Sequence, residues 1–589
     1  MKRRGSGTLS AADAGERVLL QAWVHRRRDL GGLIFLNLRD RSGNAQVVVR
    51  PEEAPEVAAV LAEVRQEWVV EVEGEVARRA PDAVNPEMAT GEIEVVADAA
   101  RVLAKSAVPP FTPDAKVEAS EDTRLRYRYL DLRSGDLQRN MMLRHKATLE
   151  VLNYFDEQGF INVETPILTR STPEGARDYL VPSRVHRGEF YAMPQSPQLF
   201  KQILMVSGLE RYVQIARCFR DEDLRADRQP EFTQIDVEIS FADEEEVIAV
   251  IEGMFERLFP LVGVKPTPPF RRLTWADAMA RYGSDRPDLR CPLEIVDLGD
   301  LLGDSGFRGF RQAVEEGGVV RGLAVPGAAA ASRRIRDGWA DLARAQGAAG
   351  VLTLTHKEGE LAFQVKNVLT PAELAAVAER SGLEEGGAVL LAAGPEATTA
   401  AALGALRLAA AREYGHFDEE AHEFTWVTEF PLVEWDEGRE RWTSTHHPFT
   451  APDPRDVDRL ASDPGSVRSR AYDLVLNGVE LGGGSIRIHQ PEMQERVFAV
   501  LGIDAEEAHE RFGFLLEALS YGAPPHGGVA FGLDRIVMLM AGASSLRDVI
   551  AFPKTTSATD LMTSAPAPVD ADQLAELGLE TKSRAEDDR

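Results

Sequence analysis

The stretch CFRDEDLRADRQPEFTQID, from Cys218 to Asp236, places a highly charged loop between two segments that look like buried strands. Eight of the twelve residues from Arg220 to Glu231 are charged. The preceding RYVQIARCF alternates with a period of two, and the following FTQIDVEISF places Ile235, Val237 and Ile239 on one face. This pattern predicts an antiparallel hairpin. The polar side chains on the other face of its second strand either contact water or line a site.

The composition indicates a multidomain globular chain. Its 589 residues, 44% hydrophobic and 28% charged, predict several domains with sizeable cores. The basic N-terminus MKRRGSGTLS precedes no apolar segment, and no later window has about 18 unbroken apolar residues, which predicts a cytoplasmic protein without a membrane segment. Cys218 and Cys291 belong to no CxxC or Cys/His cluster, which argues against structural zinc.

Charge is distributed unevenly along the chain. The net charge of −28 argues against bulk electrostatic attraction to nucleic acid. Residues 1–50, however, hold ten Lys or Arg against four Asp or Glu, a local charge of +6. The net charge therefore does not exclude a basic surface in the N-terminal region.

The predicted fold is multidomain, with β and α+β parts. Five short alternating strands, with a helix between the third and fourth, predict an N-terminal OB-fold barrel. An Ala- and Gly-rich region with its own strands interrupts the charged-sheet pattern, which indicates an inserted α+β domain. The predicted regions are an OB-fold domain over 1–105, a linker over 106–140, catalytic parts over 141–290 and 421–562, the insertion over 291–420 and a tail over 563–589.

Three motifs occur in the order typical of one enzyme class. GFINVETPIL at 159–168, FRDE at 219–222 and GLDR at 532–535 resemble the signature motifs of class II aminoacyl-tRNA synthetases. TPEGARDYLVPSR, PQSPQLFKQ, HHPFT and ELGGGSIRIH narrow the resemblance to the bacterial aspartyl-tRNA synthetases of subclass b. This resemblance covers nearly the whole chain. It implies an antiparallel-sheet catalytic domain with helices.

The resemblance gives the charged loop a role in binding ATP. The class II reaction joins two anionic groups, so positioning and charge neutralisation should carry the catalysis. Arg220 would clamp the α-phosphate, Glu222 would contact adenine and Arg535 would hold the γ-phosphate. These three are the implied catalytic residues. The implied ATP contacts are Arg220, Asp221, Glu222, Gln229, Glu480, Gly532, Leu533, Asp534 and Arg535. A solvated hairpin tip with internal ion pairs is the alternative for the loop alone.

Two carboxylates are candidates for a metal site. Asp473 and Glu480 could hold Mg²⁺ on the phosphates, because oxygen ligands suit this cation. Between Glu480 and Arg487, three consecutive glycines, 482–484, predict close approach of a ligand to a strand, since such a run normally weakens a strand. A loop is the alternative.

The resemblance also implies an aspartate pocket. Lys201 and Arg487 match positions that hold the substrate's side-chain carboxylate, and Asp236 would orient these two cations. The full implied set is Glu174, Gln198, Lys201, Arg220, Asp236, His446 and Arg487, with Glu174 and Gln198 at the α-amino end. On a strand, His446 and His447 would point to opposite faces and could not readily chelate one metal.

In the barrel, Arg28, Phe35 and Gln46 match anticodon contacts of the family. OB surfaces combine aromatic platforms with basic residues, because every base has a face that can stack. Phe35 would stack the middle anticodon base and Gln46 would hydrogen-bond it. The alternative for Phe35 is a place in the barrel core.

The implied function is ligation of L-aspartate to tRNA(Asp), with ATP as substrate, Mg²⁺ as cofactor and a homodimer as the assembly. An enzyme that also charges tRNA(Asn) is the main alternative. An asparaginyl or lysyl relative is disfavoured by Lys201, Arg487 and the long insertion. A degenerate, RNA-binding regulatory protein is disfavoured by the intact Arg220, Glu222, Glu480 and Arg535.

Overall fold

The chain forms two compact units. A computed structural model describes residues 2–113, 118–172, 176–223 and 228–581. One unit comprises Met1–Arg144 and Arg547–Pro568, and the other comprises His145–Leu546 and Val569–Arg589. Within the described ranges, no helix is long and apolar enough to cross a membrane.

The first unit begins with a closed five-stranded barrel of strand order β1-β2-β3-β5-β4. Its elements are β1 (Arg17–Leu30), β2 (Leu33–Asp40), β3 (Gly43–Val49), α1 (Pro55–Ala62), β4 (Val69–Arg78) and β5 (Ile93–Ala104). Alternate side chains point inward, so that Leu20, Leu36 and Val72 share one core. The predicted OB-fold barrel, with its helix between the third and fourth strands, is confirmed.

Helices and short strands follow the barrel. They are α2 (Glu121–Arg126), α3 (Arg128–Asp131), α4 (Gly135–Glu157), β6 (Ile161–Asn162), β7 (Leu180–Pro182), β8 (Phe190–Ala192), α5 (Gln198–Val206), β9 (Arg211–Phe219), β10 (Glu231–Ser240), α6 (Glu244–Leu258) and β11 (Arg271–Thr274). The start of α6 is capped by Asp243, whose carboxylate accepts a hydrogen bond from the backbone N–H of Glu246 at 3.0 Å.

A second sheet is built from the inserted segment. After α7 (Trp275–Tyr282), which precedes this segment, its elements are β12 (Ile295–Asp297), α8 (Gly299–Leu302), α9 (Arg308–Glu315), β13 (Val319–Val325), α10 (Arg333–Ala345), β14 (Leu352–Lys357), β15 (Glu360–Phe363), α11 (Pro371–Ser381), β16 (Ala388–Gly394) and α12 (Glu396–Glu413). The strand order is β12-β13-β16-β14-β15. Alternate residues of β16 pack into separate clusters, Leu390 in one and Leu391 in the other, so both faces of this sheet are covered.

The chain then returns to the large sheet. The remaining elements are β17 (Phe424–Thr428), β18 (Val433–Asp436), β19 (Arg441–Ser444), β20 (Ala471–Leu476), β21 (Val479–Ile486), α13 (Pro491–Val500), α14 (Ala505–Ser520), β22 (His526–Gly532), α15 (Leu533–Met540) and α16 (Ala571–Leu577). The sheet has eight strands in the order β11-β17-β20-β21-β22-β10-β9-β6. Its six central strands are antiparallel, and only the two edge pairings are parallel.

One face of the large sheet packs on α6. The ring of Phe255 lies 5.3 Å from that of Phe531 on β22 and 5.6 Å from that of Phe424 on β17. Ile235 pairs with Phe531 across β10 and β22 and is fully buried on the same face. Because strand side chains alternate, the residues beside them, such as Asp236, point to the opposite face. That opposite face forms the floor of a cleft.

Candidate active site

The cleft in the second unit has a volume of 1220 Å³ and collects residues that are far apart in sequence. Most of its floor comes from β10, β21 and β22. Thirteen of the predicted site residues line it: Gln198, Lys201, Arg220, Glu222, Gln229, Asp236, His446, Asp473, Glu480, Arg487, Gly532, Asp534 and Arg535. The geometry therefore brings the predicted ATP, metal and aspartate residues together. The role of each residue stays a prediction.

The opening hairpin supplies one side of the cleft. Strands β9 and β10 pair antiparallel from Phe219↔Glu231 to Arg211↔Ile239, as the alternation predicts. The polar face of β10 is shielded from solvent, because Gln234, Asp236 and Glu238 are all buried. Buried polar groups need partners. Their partners are cationic and polar side chains from other elements.

Arg220 lies just beyond the end of β9. Its Nε is buried and has no hydrogen-bond partner among the described residues. Its guanidinium lies over the ring of Phe232, 5.1 Å from the ring centre. A buried guanidinium nitrogen without a partner is costly unless a ligand accepts from it. An anionic ligand in the cleft would meet that requirement.

A buried cluster of two cations and two carboxylates lies at the base of the cleft. Lys201 Nζ, on α5, is 2.7 Å from Asp236 and 3.3 Å from Glu238. Arg487 donates to both oxygens of Glu238 at 2.9 and 3.1 Å. Asp236 therefore orients Lys201, whereas the guanidinium of Arg487 is held by Glu238.

The two carboxyl groups of this cluster have pKa values that are shifted in opposite directions. Burial raises the pKa of Asp236, although the Lys201 ammonium opposes the shift. Burial also opposes ionisation of Glu238, but Arg487 and Lys201 outweigh it and lower the pKa of this carboxyl to about 2. Glu238 is thus the fixed negative charge that holds the cations in place.

The two adjacent histidines occupy different environments. They follow β19 outside any strand, and both line the cleft. Burial lowers the pKa of His447 well below its ordinary value, with Arg487 adding to the shift. The neutral His447 ring can therefore accept a hydrogen bond through Nε2 from Arg487 Nη1 at 2.6 Å. The expectation that the two histidines lie on a strand is therefore wrong, and strand alternation does not apply to them.

His446 contacts one of the candidate metal ligands. Its Nε2 lies 3.2 Å from Asp473 Oδ1. Burial opposes protonation of the ring, but Asp473 outweighs it and raises the pKa of His446. Its buried Nδ1 has no partner in the described part of the chain. A ligand group that accepts a hydrogen bond at Nδ1 would satisfy it.

Asp473 and Glu480 form a carboxylate pair on neighbouring strands. Burial, followed by repulsion from Asp473, raises the pKa of Glu480. A divalent cation would relieve that repulsion, and the donors are the oxygens that Mg²⁺ prefers. No group of three or more candidate metal-ligating side chains occurs among the residues described. The pair therefore fits a Mg²⁺ ion that takes its other ligands from phosphates and water.

The GLDR motif turns from β22 into α15. Arg535 Nη1 donates to the backbone carbonyl of Glu480 at 2.7 Å, which links the motif to the carboxylate pair. Asp534 accepts a hydrogen bond from the backbone N–H of Thr233 at 2.8 Å. Leu533 is buried and is not among the residues that line the cleft. Any contact from Leu533 to ATP would therefore have to come from its backbone.

The glycine run is part of β21 and not a loop. A Cβ on Gly484 would lie 2.0 Å from the carbonyl oxygen of Gly528 on β22, and one on Gly483 would lie 1.8 Å from Asp473. A Cβ on Gly482 would lie 2.1 Å from the carbonyl oxygen of Ala530. The backbone of β22 therefore excludes side chains at Gly482 and Gly484, whereas a side chain at Gly483 would displace the Asp473 carboxylate; all three glycines also line the cleft.

The remaining predicted residues differ in how they relate to the cleft. Glu222 forms an ion pair with Arg228 at 3.2 Å. Asp221 pairs through its backbone with Arg177 and is not among the cleft-lining residues. The predicted Glu174 lies outside the described residues. Sequence reasoning assigned no role to Glu238 or His447, and the polar alternation along β10 was the only signal for Glu238.

The predicted anticodon residues share one face of the barrel. Arg28 pairs with Phe35 across β1 and β2, and Asn37 pairs with Gln46 across β2 and β3. Phe35 and Asn37 are two apart and therefore point the same way. Phe35 is half-buried and lies outside the barrel core that contains Leu36, while Arg28 is exposed. Gln46 donates to Glu94 at 2.9 Å.

Known families match both units. The family described as "tRNA synthetases class II (D, K and N)" matches residues 120–556, and the "OB-fold nucleic acid binding domain" matches residues 18–103. Among solved structures, asparaginyl-tRNA synthetase from Pyrococcus horikoshii, complexed with asparaginyl-adenylate, aligns with a TM-score of 0.58 at 18% identity. The alignment covers 94% of this chain and 98% of that one and shows the shared fold.

Relatives of similar length share about half of the sequence. Aspartate–tRNA ligase from Oceanobacillus iheyensis is 51% identical over 584 residues, 99% of each chain. Aspartate–tRNA(Asp/Asn) ligase from Desulfatibacillum aliphaticivorans is 52% identical over 578 residues, 98% of this chain and 97% of that one. The fold and the cleft define a class II aminoacyl-tRNA synthetase. Within that class, the chain belongs to the bacterial aspartyl-tRNA synthetases.

Proposed function

We propose that the cleft carries out both steps of aspartate ligation to tRNA(Asp). In the first step, the α-carboxylate of L-aspartate attacks the α-phosphorus of ATP, and the bond from that phosphorus to the departing pyrophosphate breaks. In the second step, the 3′-hydroxyl of the terminal ribose attacks the carbonyl carbon of aspartyl-adenylate, and AMP leaves. Neither step needs a protein nucleophile. Positioning and charge neutralisation carry the catalysis.

The observation that carries the proposal is the buried pair Lys201 and Arg487, which line the same cleft as Arg220, whose Nε has no partner among the described residues. Lys201 and Arg487 are anchored by Asp236 and Glu238, which fixes two cations at the base of the cleft. Four of the five Arg487 N–H donors have partners, and one Nη2 hydrogen has none within the described ranges. These groups supply an oriented site for the side-chain carboxylate of aspartate, while Arg220 faces the reacting phosphate.

Further residues position the α-amino end and the nucleotide. The buried amide of Gln198 has an Nε2 without a partner in the described chain, which supports its proposed contact with the substrate backbone. Glu174 is proposed for the same end by resemblance alone. Asp221, Glu222, Gln229 and the residues Gly532 to Arg535 are proposed for ATP. The six predicted regions, from the 1–105 barrel domain to the 563–589 tail, remain the proposed domain division.

Asp473 and Glu480 are proposed as the Mg²⁺ ligands. When bound, Mg²⁺ would neutralise charge on the ATP phosphates. The protein's part is to hold the two carboxylates on β20 and β21, with His446 hydrogen-bonded to Asp473. Glu480→Gln should raise the Mg²⁺ concentration needed for half-maximal pyrophosphate exchange. An unchanged requirement in Glu480→Gln and Asp473→Asn would remove both residues from the metal site.

The name of one relative supports the charging of a second tRNA. The 52% identical protein from Desulfatibacillum aliphaticivorans is named for both tRNA(Asp) and tRNA(Asn). Aspartate and asparagine anticodons differ only in the third base, so contacts to the shared bases cannot separate the two tRNAs. Charging of tRNA(Asn) is therefore the alternative to strict tRNA(Asp) specificity. Assaying both transcripts decides between them.

The assembly and location are also proposals. Leu149, Ile161, Ile167 and Leu168 expose 47–51% of their surface, which supports a homodimer that covers them. Sedimentation of the wild type and of Leu168→Glu tests this, because a charge in a dimer interface should favour the monomer. The two buried free cysteines suit the cytoplasm.

Pyrophosphate exchange into ATP tests the proposal most directly. The purified chain should catalyse exchange that requires both aspartate and Mg²⁺ and does not require tRNA. Asparagine, glutamate and lysine are the comparison substrates, since each differs from aspartate in the charge or length of the side chain that would enter the Lys201–Arg487 site. Exchange with asparagine equal to that with aspartate would contradict the assigned specificity. No exchange with aspartate would contradict the function.

A further inference from the structure

The hairpin of β18 and β19 presents an exposed tryptophan to the catalytic cleft, and none of the roles above uses it. Trp435 and Trp442 are cross-strand partners, with ring centres 5.3 Å apart and ring planes at 74°. Trp442 packs partly buried against the cluster that contains Val433 and Val467. Trp435 is 50% exposed, and both rings line the cleft. The anchored ring thus supports the exposed one edge-to-face.

The cleft is larger than an ordinary small-molecule site. Its volume of 1220 Å³ exceeds the roughly 300–1,000 Å³ of ordinary small-molecule sites. The second step requires the single-stranded 3′ end of a tRNA to reach the adenylate. Part of the cleft must therefore accept nucleotides as well as ATP and aspartate.

We infer that Trp435 stacks on a base at the 3′ end of the tRNA and positions the terminal ribose for transfer. This inference rests on the proposed function. An exposed aromatic ring binds any base through its face, without needing hydrogen bonds to the base edge. Phe232, beside Arg220, is a separate aromatic surface next to the residues proposed for ATP. Trp435 is therefore available for a different base.

The charge of the hairpin does not contribute to binding a nucleic acid. Residues 433–444 contain four carboxylates and two arginines, a net charge of −2. Such a hairpin does not attract the phosphate backbone. Any contact of this hairpin with a nucleic acid would therefore be made by the face of the Trp435 indole ring.

A double-mutant cycle tests this contact. The first change is Trp435→Ala, and the second is removal of the last two nucleotides from tRNA(Asp). Binding is measured on the full-length enzyme with a non-reactive aspartyl-adenylate analogue present. Each single change should weaken binding about 5- to 150-fold, the effect of losing one stacked base. Together they should weaken binding by little more than either alone, because both remove the same contact.

Two further variants separate stacking from a structural effect. Trp435→Phe retains a stackable ring and should restore most of the binding. Tyr521→Ala removes a 76% exposed aromatic side chain elsewhere in the same unit and should leave tRNA binding unchanged. In single turnover from preformed adenylate, Trp435→Ala should slow aspartate transfer at least ten-fold more than it slows pyrophosphate exchange.

The outcomes that overturn the inference are distinct from failure of the proposed function. If the two changes together weakened tRNA binding by the product of their separate fold-effects, Trp435 would not contact the 3′ end. Equal losses in transfer and exchange would assign Trp435 a structural role. If Trp435→Ala instead dissociated an oligomer, the ring would belong to a subunit interface. Each of these results leaves aspartate-dependent exchange by the wild type intact, whereas absence of that exchange refutes the proposed function itself.

Discussion

Arg487 donates two hydrogen bonds to the carboxylate of Glu238, from Nε at 2.9 Å and from Nη2 at 3.1 Å, and both residues are buried. The two residues are 249 positions apart in sequence. Glu238 also lies 3.3 Å from Lys201, so one carboxylate fixes both cations proposed for the aspartate side chain. A bidentate pair of this kind holds the guanidinium plane in one orientation.

Glu238→Gln should damage both stability and aspartate recognition. Breaking one side of a buried ion pair typically costs about 3–5 kcal/mol. We expect a lower melting temperature and a fall of at least about ten-fold in kcat/KM for aspartate during exchange, because the two cations lose their common anchor. Thermal melting and exchange kinetics measure the two effects.

Glu245→Gln is the matched control for this variant. Glu245 pairs with Arg272 at the surface, where ion pairs contribute little. Its removal should leave both the melting temperature and exchange nearly unchanged. If Glu238→Gln behaved like this control, Glu238 would have no role in positioning Arg487.

Arg220→Lys should lower the rate of adenylate formation far more than it weakens ATP binding. Lysine cannot reproduce the planar fork of a guanidinium, and the contact strengthens as charge develops on the phosphate. Loss of one such donor costs about 10²–10³ in kcat. Steady-state exchange at varied ATP separates kcat from KM.

Arg217→Lys serves as the control for Arg220. Arg217 lies on β9, three residues before Arg220, and contacts Thr233 and Glu231, away from the cleft lining. Its replacement should change exchange little. A raised KM for ATP with an unchanged kcat in Arg220→Lys would make Arg220 a binding residue without a role in the transition state.

The sequence predicts the strands better than it predicts their partners. Alternation along β10 predicted its two faces, and the hairpin register follows from it. Alternation could not show whether the polar face was wet or buried, since the partners Lys201 and Arg487 come from distant segments. Likewise, the interpretation of the adjacent His446 and His447 as strand residues is wrong, since they follow β19 outside any strand, and both line the cleft. Packing between distant segments, and not local pattern, decides these features.

The family motifs located the cleft residues but did not reveal what each one contacts. Asp534 in GLDR accepts a hydrogen bond from the backbone of β10, and Leu533 is buried. The glycine run at 482–484 looked like space for a ligand, yet its glycines also avoid clashes with β22 and with Asp473. Such close approaches between strands cannot be read from one sequence.

The neutral state of His447 predicts a dependence of stability on pH. Its pKa is lowered in the folded chain, so below the unfolded-state value of about 6.5 the unfolded chain binds one more proton. Stability contributed by this group is therefore present above about pH 6.5 and is lost as the pH falls, by up to about 1.4 kcal/mol per pH unit.

His447→Gln should remove this acid-dependent loss, because the amide oxygen can still accept from Arg487 and does not titrate. Melting temperatures of wild type and variant are compared at pH 7.5 and at pH 5.5. Any advantage of the wild type at the higher pH should shrink or reverse at the lower pH. His186→Gln, at an exposed position, should show no such crossover. A constant difference between wild type and His447→Gln at both pH values would contradict a neutral His447.

The outward face of the barrel gives the last prediction, which concerns tRNA and not the adenylate. Phe35 is half-buried outside the barrel core, and it shares its face with the exposed Arg28 and with Gln46. If Phe35 stacks an anticodon base, Phe35→Ala should lose about 1–3 kcal/mol of tRNA binding. Aspartate-dependent exchange, whose residues lie in the other unit, should be nearly unaffected.

The measurement is charging of tRNA(Asp) and tRNA(Asn) transcripts by wild type and Phe35→Ala, with exchange assayed in parallel. Leu103→Ala, which shortens an exposed apolar side chain on β5, is the control and should charge normally. Circular dichroism confirms that each barrel is folded. If wild type charges both transcripts, Phe35→Ala should weaken both equally, because the stacked middle base is common to the two anticodons. Normal charging by a folded Phe35→Ala variant would exclude this ring as the anticodon platform, and a selective loss of one tRNA would place Phe35 at the third base instead.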